Sequence, residues 1–67
     1  MAKQTYTLAM ALDAVVEGLQ NGMDHSPTTI RCAINDCLDG ADRDGFKVNF
    51  DYDQPRAVRI VQARLEK

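Results

Sequence analysis

A helix start followed by a single apolar stripe, in residues 26–38, constrains this chain more than any other feature. Ser26 can cap a helix, and Pro27 fits the first helical position because its missing N–H would have no partner there. Apolar residues then recur at helical spacing, at Ile30, Ala33, Ile34, Cys37 and Leu38. Gly40 stands where a left-handed residue would end the helix. We therefore predict an amphipathic helix that ends before Gly40.

A second apolar stripe precedes this helix. Its members follow the same spacing, at Leu8, Leu12, Val15, Val16 and Leu19. Thr5 or Thr7 can cap this segment, and Asn21-Gly22 is a stop signal, so residues 7–20 are predicted to form a helix. The connection between the two helices is short, so we expect them to be antiparallel neighbours facing one core. His25, in that connection, is predicted to be an exposed loop side chain.

Residues 46–52 alternate between apolar and polar side chains. The apolar set is Phe46, Val48, Phe50 and Tyr52. This alternation predicts a strand whose aromatic face rests on the helices. The preceding residues 38–45 are rich in Asp and Gly, which is typical of a loop.

The last segment, after a turn at residues 53–56, has two interpretations. The β-branched run Val58, Ile60 and Val61 favours a strand that forms a hairpin with residues 46–52. Val58, Val61 and Leu65 also suit a helix, which Pro55 could open. The preferred prediction is an α+β fold, in which two antiparallel helices pack on a C-terminal β-hairpin in the order α-α-β-β. The alternative makes the last element a helix. Residues 1–67 are expected to form one small domain.

The two cysteines, Cys32 and Cys37, are predicted to be reduced. Five helical residues place their thiols on different sides of the helix, beyond reach of a bridge. No zinc site is expected, because His25 is the sole histidine and there is no C-x2-C pair. Asp42, Asp44 and Gly45 match part of a calcium loop, but neither end of that loop is matched. The sequence therefore predicts no metal and no cofactor.

Catalysis and a membrane location are not expected. The sequence has no glycine-rich phosphate loop and no nucleophile elbow. Its carboxylates lie in polar contexts, where nothing would tune a general acid. No apolar run approaches the ~18 residues of a membrane span, and the N-terminus has no hydrophobic signal region. We therefore predict a cytoplasmic protein that is not an enzyme.

The charge distribution favours a protein partner. The net charge is −2, yet residues 36–53 hold six aspartates against two basic residues. Those aspartates are the predicted protein-binding residues: Asp36, Asp39, Asp42, Asp44, Asp51 and Asp53. So small a domain cannot bury every apolar position, and exposed apolar surface marks interaction sites. We predict a regulatory or inhibitory protein-binding module, like small accessory proteins of phages and mobile elements, and a homodimer is one form of it.

The alternative is DNA binding. The stretch Ser-Pro-Thr-Thr-Ile-Arg-Cys-Ala-Ile at residues 26–34 resembles the recognition-helix half of helix-turn-helix families, which often read S-x-x-T-[VI]-R-x-A-[LI]. A hairpin tipped by residues 54–56 would be similar to the wing of winged-helix domains. The resemblance implies a transcriptional regulator whose recognition helix enters the major groove while the wing contacts phosphates. The implied DNA-binding residues are Thr28, Thr29, Arg31, Arg56 and Arg59.

Overall fold

Three helices and one short pair of strands make up the fold of the residues that the structure describes. The structure is a computed structural model that describes residues 4–22 and 24–66. In chain order the elements are β1 (Thr5–Tyr6), α1 (Leu8–Leu19), α2 (Pro27–Arg43), β2 (Lys47–Val48) and α3 (Gln54–Leu65). The predicted fold of two helices on a C-terminal β-hairpin is therefore wrong, because a helix stands where the second hairpin strand was expected.

Both predicted N-terminal helices are confirmed, and each begins at a cap of the expected kind. The Met10 N–H donates to Thr7 Oγ1 at 3.2 Å, and the Thr29 N–H donates to Ser26 Oγ at 3.3 Å. Pro27 occupies the first turn of α2, where an N–H is not needed. Local capping chemistry was thus sufficient to fix where these two helices start.

The predicted end of α2 at Gly40 is wrong, since the helix continues for almost one more turn to Arg43. Gly45 is the left-handed residue instead, with φ of +95°. The Gly45 N–H donates to the Asp42 carbonyl, and the Phe46 N–H donates to the Ala41 carbonyl at 3.0 Å. These two bonds are those of a Schellman motif, which satisfies carbonyls that the helix end leaves without partners.

The predicted strand over residues 46–52 is reduced to Lys47–Val48, and its partner is not C-terminal. This β2 strand pairs in parallel with β1, with Thr5 opposite Lys47 and Tyr6 opposite Val48. The Lys47 N–H also donates to the Gln4 carbonyl at 2.8 Å. Because residues 54–65 are helical, no second hairpin strand is present to extend the pairing beyond Val48.

α3 is the element on which the sequence interpretation was open. Asp53 caps it, because its Oδ1 accepts a bond from the Arg56 N–H at 3.2 Å, and Pro55 lies in its first turn. Ala57, Val58 and Val61 of this helix are buried. Burial of that face and a good cap outweigh the weak strand preference of β-branched residues.

The core is aliphatic and lies between the three helices. Its buried members are Ala11, Leu12, Val15, Val16, Ile30, Ile34, Leu38, Ala57, Val58 and Val61. The expectation that Phe46, Phe50 and Tyr52 form one face on the helices is wrong, because Phe50 is 47% exposed. Phe46 is half-buried beside Tyr6, with ring centroids 6.0 Å apart.

None of the described helices is both long enough and apolar enough to cross a bilayer.

Candidate functional site

An open groove lies between the start of α2 and one side of α3, and we call it the α2–α3 groove. Its volume is about 320 Å³. Two prolines and a valine form its apolar part, namely Pro27, Pro55 and Val58. Its polar part consists of Thr28, Arg31, Gln54, Arg59 and Gln62. The groove therefore combines an apolar surface with two guanidinium groups.

The groove brings together three of the five residues that the helix-turn-helix resemblance implies for DNA binding. Thr28 and Arg31 lie on α2, and Arg59 lies one helix away on α3. Positions 28 and 31 lie one turn apart on a helix, so both side chains project to the same flank. The recognition-helix motif implied Thr28 and Arg31, and the expected wing implied Arg59. Their meeting depends on how α3 packs against α2.

Thr29 does not line the groove, because it belongs to the capping network of α2. Its hydroxyl donates to Asp24 Oδ2 at 2.7 Å and accepts a bond from the Ser26 hydroxyl at 3.1 Å. The Ser26 N–H donates to Asp24 Oδ1 at 3.0 Å. The hydrogen bond that Asp24 accepts from the Thr29 hydroxyl, followed by those from Ser26, holds the pKa of the Asp24 carboxyl below its usual value of 3.8. The Thr29 hydroxyl is therefore already engaged within the chain.

Arg56 is exposed on α3 outside the lining of the groove. The prediction of a wing, which the resemblance implied, is wrong, because residues 54–56 begin a helix instead of forming the tip of a hairpin. Asp53 accounts for this difference, since a side-chain cap at that position favours helix over turn. Arg56 and Arg59 therefore extend from a helix.

The six predicted protein-binding aspartates are spread over several places. Asp36 and Asp44 line a second cleft of about 290 Å³, together with Tyr6, Cys37 and Phe46. Asp39 and Asp42 are exposed on α2, and Asp51 is exposed in the connection before α3. Asp53 caps α3. The six carboxylates therefore do not form a single acidic patch.

Tyr52 fixes the connection before α3 against α2. Its hydroxyl donates to Asn35 Oδ1 at 2.8 Å. Burial raises the pKa of the Tyr52 phenol, while the positive charge of Arg31 acts in the opposite direction. Tyr52 therefore places the start of α3 relative to the helix that carries Arg31.

Three further side chains of interest lie elsewhere. His25 is half-buried, contrary to the expected exposed position, and its Nε2 bonds to the Leu19 carbonyl at 2.8 Å. Cys32 is exposed and Cys37 is half-buried, and both are free. Burial, followed by the charge of Asp36, raises the pKa of the Cys37 thiol. Within residues 4–22 and 24–66, no group of three or more His, Cys, Asp or Glu side chains could hold a metal.

The sequence interpretation missed the other groove residues, Pro27, Gln54, Pro55, Val58 and Gln62. A signal was available in two similar helix starts, Ser26-Pro27 and Asp53-Gln54-Pro55. Each combines a capping side chain with a proline in the first turn. Their adjacency in space had no sequence signal, because it depends on the packing of the third helix.

Comparison with protein-family models, curated proteins and solved structures finds no match for this chain.

Proposed function

We propose that this chain is a small non-enzymatic protein-binding module, with a regulatory or inhibitory role, that receives its partner in the α2–α3 groove. The mixed lining of the groove carries the proposal. Partner segments are commonly held by a few apolar contacts with polar groups around them, and Arg is enriched in such surfaces. The groove offers Pro27, Pro55 and Val58 for the first kind of contact, and Arg31 and Arg59 for the second.

Exposed apolar side chains elsewhere support the same class of function. Met10 is 46% exposed, Phe50 47% and Ile60 40%. In a domain of 67 residues these are large side chains to leave in contact with water, and burying them against another protein would be favourable. A protein partner or a second copy of the chain could cover such side chains.

The test is affinity capture followed by titration of the purified partner. A Thr28→Trp variant obstructs the groove with a bulky side chain. Ala9→Trp is the control, because it places the same side chain at an exposed position in the first turn of α1, outside the lining of the groove. We expect the partner to bind wild type and Ala9→Trp alike, and to bind Thr28→Trp about tenfold or more weakly, which is a loss of about 1.4 kcal/mol. Equal binding to all three proteins would contradict the assignment to the groove.

DNA binding is the second candidate function. The observation that favours it is that Thr28, Arg31 and Arg59 lie around one groove, on the helix that resembles a recognition helix and on its neighbour. Phosphate contacts of this type give binding that weakens steeply as salt rises.

A gel-shift titration on duplex DNA at two salt concentrations tests this candidate. The informative variant is Arg31→Gln/Arg59→Gln, and Arg43→Gln/Lys47→Gln is a control with the same change in net charge. DNA binding requires a salt-sensitive shift that the first variant loses and the control keeps. Absence of a shift at low salt would exclude this candidate.

A further inference from the structure

The charges of the α2–α3 groove indicate what its occupant carries. Among residues 4–22 and 24–66, the one ion pair joins Arg64 to Asp13, with Nη1 and Oδ1 2.6 Å apart. Arg31 and Arg59 are both exposed at the groove, and neither pairs with a carboxylate among those residues. Although the whole chain has a net charge of −2, this groove therefore presents two available positive charges.

Two backbone amides add to this positive character. In α2, the N–H groups of Thr29 and Ile30 bond to Ser26, which leaves that of Thr28 without a partner among the described residues. In α3, the N–H groups of Arg56 and Ala57 bond to Asp53, which leaves the N–H of Gln54 without a partner among the described residues. Thr28 and Gln54 both line the groove. Each helix therefore places an amide without a described partner at the groove, while the carboxylates of Asp24 and Asp53 lie at the same helix starts and offset part of the helix dipoles.

The size of the groove and its apolar part limit the occupant further. A volume of about 320 Å³ is at the lower end of the roughly 300–1,000 Å³ found for small-ligand sites. It accommodates one or two side chains of a partner segment. Val58 is only 8% exposed, so the apolar surface available to the occupant comes mainly from the rings of Pro27 and Pro55.

We infer that the occupant is an acidic segment of a partner protein, in which a carboxylate side chain lies next to an apolar one. The carboxylate accepts hydrogen bonds from Arg31 and Arg59, and the apolar side chain covers the two prolines. Charge-assisted bonds from Arg to a carboxylate are short, and they are stronger than neutral ones. This inference rests on the proposed function, because it specifies the chemistry of the partner at the same groove.

The distribution of negative charge favours such a segment over nucleic acid. Asp24 lies at the start of α2 and Asp53 at the start of α3, where each is held by capping bonds. A duplex brings one negative charge for every ~1.7 Å of its axis, so its phosphates would also approach these carboxylates. A peptide with isolated carboxylates can place its charges on the arginines alone.

Chemical-shift titration of the isotope-labelled protein tests the inference. The probes are acetylated and amidated Glu-Leu-Glu-Leu, the matched peptides with Gln or Lys in place of Glu, inorganic phosphate and a short DNA duplex. We expect the Glu peptide to shift the Thr28 and Gln54 amide signals and to bind about tenfold more tightly than the Gln peptide. Arg31→Gln/Arg59→Gln should remove that advantage, and Arg43→Gln/Lys47→Gln should keep it. Circular dichroism confirms that both variants remain helical.

The other outcomes separate the inference from the proposed function. Equal or tighter binding of the Gln or Lys peptide at the same amides overturns the acidic preference and leaves a protein-binding groove. Shifts with phosphate and the duplex but with no peptide overturn both proposals in favour of DNA binding. No shift with any probe overturns the acidic preference, and the capture experiment with Thr28→Trp then decides the function independently.

Discussion

At the scale of single residues, two glycines near the end of α2 have opposite roles. Gly40 lies within the helix, and a Cβ added there would meet nothing within 4 Å. Gly45 has a φ of +95°, which L side chains rarely adopt, and it supplies an N–H to the bonds that end the helix. Position in the backbone, more than residue type, therefore decides what each glycine contributes.

Replacing each glycine by alanine should change stability in opposite directions. Gly40→Ala should raise the free energy of unfolding by about 0.5–1 kcal/mol, because alanine is the better helix former. Gly45→Ala should lower it by about 1–2 kcal/mol, because the Cβ strains a left-handed residue. Urea denaturation followed by circular dichroism measures both. Loss of stability in both variants would contradict the placement of Gly40 inside the helix.

The Asp24 carboxylate should make the start of α2 sensitive to acid. Its pKa in the folded protein lies below 3.8, so its hydrogen bonds stabilise the fold above that pH and are lost as the pH falls through the folded value. The difference in urea midpoint between wild type and Asp24→Ala should therefore be constant near neutral pH and shrink below pH 3.8. A difference that stayed the same in acid would show that the charged form is not the one stabilised.

At the scale of secondary-structure elements, signals for helix starts were more informative than the alternation of apolar and polar residues. The starts of α1 and α2 followed from Thr7, Ser26 and Pro27, because capping is local chemistry. Residues 46–52 alternate as a strand would, but the segment pairs only with the two residues of β1, so the strand is limited to β2. The prediction of a strand after residue 56 did not take into account that Asp53 can cap a helix. Packing also overrides the strand preference of β-branched residues easily.

Asp53→Ala should therefore weaken α3 more than a neighbouring change of the same kind. Removing the bond to the Arg56 N–H should cost about 1 kcal/mol. Asp51→Ala is the matched control, since Asp51 is exposed outside the helix, and it should change stability by no more than about 0.5 kcal/mol. Thermal unfolding compares the two variants. Similar losses would mean that the lost charge, and not the cap, matters.

At the scale of the whole molecule, stability depends on a small aliphatic core shared by three helices. Ile30 and Ile34 of α2 and Val61 of α3 are each 0% exposed. The apolar positions of α1 and α2 were predictable from their spacing, but the contribution of α3 was not, because its face was indistinguishable from a strand. For the same reason the sequence could name Thr28, Arg31 and Arg59 but could not show that α2 and α3 bring them to one groove.

Truncating this core should be severe for so small a domain. Ile34→Ala should cost about 2–5 kcal/mol, which is comparable to the whole stability of a domain of this size. Ile60→Ala is the control, because Ile60 is 40% exposed, and it should cost about 0.5 kcal/mol or less. Chemical denaturation distinguishes them. A mild effect of Ile34→Ala would mean that the described core is not the one that stabilises the protein.

The parallel pairing of β1 with β2 has a consequence for folding. The bond from Lys47 to the Gln4 carbonyl closes a loop that contains all of α1 and α2, so much chain entropy is lost for very few bonds. We expect this pairing to form after the helices have docked, and to open first in local fluctuations. Amide hydrogen exchange should accordingly be faster at Lys47 than at the fully buried Ile34.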